Sequence, residues 1–141
     1  MHIQQLSVFL ENTTGRLTEF TGVLKKNNIG IKAMQITESS DFGILRCLVA
    51  DPEETKKILS ENGFNATITN VLAVGAENKS GGLHDILEVL TSNGIAVEYT
   101  YSVIESEQGM AVIVIKVAEV TKAAAILSEA GVKMYKTKDL V

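Results

Sequence analysis

The chain is poor in the residues that build metal centres, disulfide scaffolds and membrane spans. Its 141 residues include one cysteine and two histidines. A single cysteine, Cys47, makes no intrachain disulfide, which suits a reducing, cytoplasmic setting. No C-x-x-C or H-E-x-x-H spacing occurs, so neither metal nor cofactor is expected. A glycine-rich phosphate loop of the Walker type is also missing. No run of eighteen apolar residues exists to span a bilayer. The start, Met1-His2-Ile3-Gln4-Gln5, lacks the basic and apolar segments of a signal peptide. Net charge is −4 with scattered basic residues, which argues against nucleic-acid binding through phosphate neutralisation.

What is present is a globular composition, 45% hydrophobic and 21% charged. The length fits one ordinary domain or two small ones, and an internal repeat favours two. Glu11-Asn12-Thr13-Thr14-Gly15-Arg16-Leu17 returns 66 residues later as Glu77-Asn78-Lys79-Ser80-Gly81-Gly82-Leu83, sharing the pattern E-N-x-x-G-x-L. The offset holds for Val23-Leu24 with Val89-Leu90, Asn27 with Asn93, Ile29 with Ile95 and Gly43 with Gly109. It becomes 68 for Ile58-Leu59 with Ile126-Leu127 and Gly63 with Gly131, which suggests a two-residue insertion near Val117-Ala118. Two copies are too few for a solenoid. Two related domains, 1–70 and 71–141, packed side by side with their helices on a common side, are expected.

Each copy reads β-α-β-β-α-β. Leu6, Val8 and Leu10 alternate with Ser7 and Phe9, as in a half-buried strand. Leu17, Phe20, Val23 and Leu24 then recur at helical spacing, and Asn27-Asn28 with Gly30 stops that helix. Strands over 31–38 and 43–50 form a hairpin around Ser39-Ser40-Asp41. Asp51-Pro52-Glu53-Glu54 combines an N-cap, a proline at the first helical position and first-turn acids. A strand over 66–70 closes the copy. The second copy predicts a strand at 71–76, a helix marked by Leu83, Ile86, Leu87 and Leu90, and strands at 95–104 and 110–118 around Glu105-Ser106-Glu107-Gln108. A helix at 120–130 and a strand at 132–137 follow. The fold class is α+β: two ferredoxin-like units with antiparallel sheets and helices on one face.

E-N-x-x-G-x-L between the first strand and first helix of such a unit resembles the ACT domain, a regulatory amino-acid-binding module. It is similar in particular to the serine-sensing ACT domain of phosphoglycerate dehydrogenase, which carries E-N-R-P-G there. The resemblance covers nearly the whole chain as a tandem pair without a catalytic domain. It implies a non-catalytic sensor that holds a small amino acid at the interface of two ACT units and signals to a separate metabolic enzyme or regulator. A homodimer is compatible with it. By position, the ligand-binding residues are Asn12, Thr13, Thr14, Gly15, Arg16 and Leu17 with Gly30, and Asn78, Lys79, Ser80, Gly81, Gly82 and Leu83 with Ala96. Gly30 and Ala96 stand where the serine sensor has a second Asn, and Thr14 and Ser80 where it has Pro; the first difference argues against serine.

Loop N–H groups at a helix start receive a carboxylate, Asn offers donor and acceptor, and Gly lets a ligand approach the backbone. The plainer reading is a turn whose glycine and asparagine serve only the backbone. In that case the chain is an interaction subunit without a small ligand. An acylphosphatase-like enzyme using Arg16 is a further alternative. Tyr99 and Tyr101 share one strand face and suit packing on a partner sheet. Met34 and Cys47 read as core, and His84 as a solvated helix residue.

Overall fold

The computed structural model describes residues 2–38, 41–103 and 109–140. Compact units form from Gln4–Thr69 and from Asn70–Leu140. The first unit contains β1 (Ile3–Glu11), α1 (Arg16–Lys26), β2 (Ala33–Glu38), β3 (Phe42–Leu48), α2 (Pro52–Glu61) and the opening part of β4 (Asn65–Glu77). Its strand order is β2-β3-β1-β4. β3 runs antiparallel to both β1 and β2, with Val8 opposite Leu45 and Ile36 opposite Leu45 on the other side. This is the split β-α-β arrangement of a ferredoxin-like unit.

The second unit repeats it with the remainder of β4, α3 (Gly82–Ser92), β5 (Tyr99–Ser102), β6 (Met110–Lys116), α4 (Val120–Glu129) and β7 (Lys133–Met134), ending in a 3₁₀ turn over Thr137–Asp139. Here the order is β5-β6-β4-β7, again antiparallel.

Each unit builds its own core on one sheet face. In the first, Leu6, Val8 and Leu10 of β1 and Leu45 and Cys47 of β3 meet Phe20 and Leu24 of α1 and Leu59 of α2. The strand residues are two apart and so share a face; the helix residues recur at helical spacing. In the second, Leu72, Val74 and Ala76 with Ile113 and Ile115 meet Ile86, Leu90, Ala123, Ala124 and Leu127. Full burial of a side chain such as Leu24 or Leu90 contributes about 1.5–3 kcal/mol. At α2, Asp51 accepts the Glu54 N–H at 3.1 Å and Pro52 takes the first helical position, as its sequence predicts.

The structure corrects several boundaries. β2 begins at Ala33 instead of 31, and β5 begins at Tyr99 instead of 95 and runs to Ser102, position 104 lying outside the described residues. The strands expected at 66–70 and 71–76 are one unbroken β4. β7 is two residues, Lys133–Met134, instead of 132–137, although the Tyr135 N–H still bonds the Ala73 carbonyl of β4 at 2.9 Å. The turns Ser39-Ser40 and Glu105-Ser106-Glu107-Gln108 lie outside the described residues. Met34 is not core but 37% exposed, because β2 is the last strand of its order, at the margin of the helical layer.

The two-residue insertion is also relocated. The Asn12 N–H bonds the Asp41 carbonyl, and the Asn78 N–H bonds the Gly109 carbonyl. Likewise Ala33 pairs with Leu48, and Tyr99 with Lys116. Pairing therefore shifts from an offset of 66 to one of 68 between Val103 and Gly109. Gly109 corresponds to Asp41, and its match to Gly43 is coincidental.

Two glycines make opposite predictions. A Cβ on Gly82 would stand 2.0 Å from the Glu77 carbonyl oxygen, whereas one on Gly22, mid-α1, meets nothing within 4 Å. Gly82→Ala is expected to destabilise by about 1–3 kcal/mol, and Gly22→Ala to stabilise by about 0.5–1 kcal/mol through helix propensity. Urea unfolding of the two variants checks both signs.

Candidate functional site

The two loops share one pattern of backbone hydrogen bonds. In the first, the Thr13 N–H bonds the Glu11 carbonyl at 2.9 Å, the Arg16 N–H bonds Thr13 at 3.3 Å, and the Glu19 N–H bonds Gly15 at 2.9 Å. In the second, Lys79 bonds Glu77 at 2.8 Å, Gly82 bonds Lys79 at 3.1 Å and Asp85 bonds Gly81 at 3.0 Å. Gly15 (φ 90°) and Gly81 (φ 86°) are the left-handed N-caps, a region that strains a residue bearing a Cβ. Neither α1 nor α3 has a side-chain cap, in contrast to α2. The first-turn N–H groups at Leu17 and Leu83 are therefore not covered by a capping side chain. α4 also lacks such a cap but has no left-handed glycine before it.

Asn12, Thr13, Thr14 and Gly15 are exposed, as are Asn78, Lys79, Ser80 and Gly81. Each loop ends beside an outward leucine, Leu17 at 38% and Leu83 at 36% exposure. Polar backbone donors next to one apolar side chain are the elements of a small amino-acid site. Gly30 and Ala96 do not join the loops of their own units. Each follows the far end of an eleven-residue helix, about 16 Å long at 1.5 Å per residue.

Arg16 is engaged within its own unit. Its Nε donates to Glu11 at 2.6 Å, Nη1 to Glu19 at 3.1 Å and Nη2 to the Gly63 carbonyl at 3.0 Å. The guanidinium lies 3.9 Å from the Phe64 ring centroid. A backbone hydrogen bond first, and then Arg16, hold the Glu11 carboxyl below its usual value of 4.5. The Glu19 pairing has the i,i+3 spacing of a helix ion pair and was readable in sequence. Gly63 and Phe64, 47 and 48 residues away, carried no such signal. In the second loop Lys79 Nζ meets Glu77 at 2.6 Å, a pair with both side chains more than half exposed. That contact lowers the Glu77 pKa and raises that of Lys79.

Elsewhere, His84 is exposed and meets Glu88 at 3.1 Å. Tyr99 and Tyr101 stack with ring centroids 6.5 Å apart. Cys47 is a free buried thiol pushed up to about 12 by burial. Among the described residues no group of three or more His, Cys, Asp or Glu could hold a metal, and no helix is long and apolar enough to cross a membrane.

The geometry defines a tandem of ferredoxin-like units, each with a glycine-turned loop at its first helix. The family model described as an ACT domain pair matches residues 1–141, and the chain belongs to that family. A crystal structure of a protein from Bacteroides thetaiotaomicron is similar at 41% identity and TM-score 0.93, covering 99% of this chain and 96% of that one. The ligand-free regulatory subunit of aspartate kinase from Thermus thermophilus shares the fold at 13% identity and TM-score 0.63, covering 92% of both chains. Aspartokinase alpha and beta subunits do so at 18% and 0.60, covering 91% of both. A search of curated proteins finds no match.

Arg16→Ala is expected to destabilise the first unit by about 1–2 kcal/mol through loss of the Phe64 and Gly63 contacts. Because the folded Glu11 pKa is lowered, its contribution is full above about pH 4.5 and is lost as pH falls through the folded value. Thermal melts between pH 3 and 7 should show a smaller acid loss in Arg16→Ala than in the parent.

Proposed function

We propose that this protein is a non-catalytic amino-acid sensor, with 1–70 and 71–141 as its two ACT units, acting in the cytoplasm on a separate enzyme or regulator. The observation that carries this reading is the repeated loop: the same left-handed glycine, hydrogen bonds, uncapped helix start and exposed Asn and Leu, twice in one chain. A turn needed only to connect strand to helix has no requirement for a matching exposed Asn and Leu. The ligand carboxylate takes the first-turn N–H groups, favoured by the helix dipole. Asn12 and Asn78 take the ammonium or a polar side chain. Gly30 and Ala96, assigned through the family resemblance, have no hydrogen-bonding side chain and can contribute backbone only.

Arg16, held by Glu11 and Glu19, fixes the position of its loop. The acylphosphatase-like alternative needs that guanidinium for a phosphate, and its Nε, Nη1 and Nη2 each already donate to a carboxylate or a carbonyl. Relatedness in fold to aspartate kinase regulatory subunits suits a sensor whose output passes to another chain.

A thermal-shift screen across the twenty amino acids, with calorimetry on each hit, tests the reading. A bound ligand at 100 times its Kd should add about 2.7 kcal/mol of stability. Asn12→Ala or Asn78→Ala should weaken binding at least tenfold with little change in melting temperature. Gly15→Val or Gly81→Val should abolish binding at its loop and cost about 1–2 kcal/mol of backbone strain. A flat response to all twenty amino acids would leave the interaction-subunit reading. A confirmed ligand indifferent to both Asn changes would place the site elsewhere.

A further inference from the structure

In the unit Gln4–Thr69 a guanidinium, that of Arg16, is held by two carboxylates, one carbonyl and one ring: Glu11, Glu19, the Gly63 carbonyl and Phe64. Backbone hydrogen bonding matches these positions one by one to the unit Asn70–Leu140. Glu77 stands for Glu11, Gly82 for Arg16, Asp85 for Glu19, Gly131 for Gly63 and Val132 for Phe64. The loop bonds set the first three pairs. Parallel bonds from Phe64 to Leu59 and from Val132 to Leu127 set the last two. Both carboxylates and the glycine carbonyl are retained, an apolar wall replaces the ring, and the arginine is a glycine.

A cleft of about 240 Å³ lies there, lined by Glu77, Gly82, Asp85, Gly131, Val132 and Lys133, among others. It is smaller than the roughly 300–1,000 Å³ of drug-sized pockets and suits a group the size of one side chain. The acceptors alone would be only an acidic pair. Their counterparts holding a guanidinium in the sister unit is what specifies the ligand.

We infer that this cleft binds the guanidinium of a small molecule, arginine or a close analogue, which supplies from solution the contacts that Arg16 supplies within its own chain. The inference rests on the proposed amino-acid reading for the α-amino-acid end of the ligand; the guanidinium socket stands apart from it. A planar guanidinium fits two carboxylates and a carbonyl better than a compact ammonium does. Two cations already lie nearby. Lys133 Nζ is 5.0 Å from the Tyr135 ring centroid. Lys79 sits on Glu77 in an exposed pair of the weak, solvent-screened kind, and so competes with the ligand without closing the site.

Calorimetry on the full chain with L-arginine, agmatine and L-citrulline tests this. Agmatine keeps the guanidinium without the carboxylate, and citrulline keeps the shape without the charge. Arginine and agmatine should bind one site, with citrulline at least tenfold weaker. Glu77→Gln and Asp85→Asn should each weaken arginine at least tenfold with unchanged circular dichroism, and Lys79→Ala should tighten it. Arg16→Gly should open the matching socket and raise the agmatine stoichiometry from one to two. Should Arg16→Gly fail to fold, the carboxylate variants carry the test.

Citrulline equal to arginine, or arginine binding undiminished in a Glu77→Gln/Asp85→Asn variant, overturns the socket. So does silence toward both arginine and agmatine, and serine or another neutral amino acid binding in that case leaves the loop reading standing. Agmatine binding with no amino acid binding at the loops supports the socket and removes the loop reading.

Discussion

Each unit depends on one backbone turn between its first strand and first helix. The chain leaves a buried strand, reverses over four residues and must start a helix lying back across the same sheet. A left-handed residue accomplishes this, and Gly15 and Gly81 take that conformation at no steric cost. The turn directs α1 and α3 so that Phe20 and Leu24, or Ile86 and Leu90, meet the strand residues beneath them. The same turn leaves first-turn N–H groups without a capping side chain. Folding and the proposed ligand reception thus rest on one local geometry.

Duplication preserved that geometry while side chains diverged over it. Backbone hydrogen bonds tolerate any side chain that fits, so the loop bonds and helix ends match almost bond for bond. Space beside the loop is filled differently. One unit has an arginine clasped by acids and a phenylalanine; the other has a glycine forced by the nearby Glu77 carbonyl and an open cleft. Two sites of common origin therefore need not hold the same ligand.

The ferredoxin-like fold hosts many functions, and the match to an ACT domain pair narrows the choice to regulation without naming an effector. Cys47 shows how the core excludes chemistry. Burial raises its thiol to about 12, so it stays protonated near neutral pH and packs as a small apolar group.

Local signals decided much of the fold. Alternation in Leu6, Val8 and Leu10 marked β1, Asp51-Pro52 marked the start of α2, and the repeated E-N-x-x-G-x-L marked duplication and the candidate loops. These features act over a few residues, where periodicity, capping and turn chemistry are visible in the chain itself. Tertiary structure decided what depends on distant partners. Met34 is apolar yet exposed because strand order puts β2 at the sheet margin. The insertion lies in the second hairpin because ladder register, not the chance glycine match of Gly43 with Gly109, sets equivalence. That Arg16 is a loop cation is visible in sequence; that Gly63 and Phe64 arrive from across the unit to hold it is not. The fate of a charged side chain is set by which acceptors and rings the fold brings within about 4 Å, and that follows from packing of the whole unit.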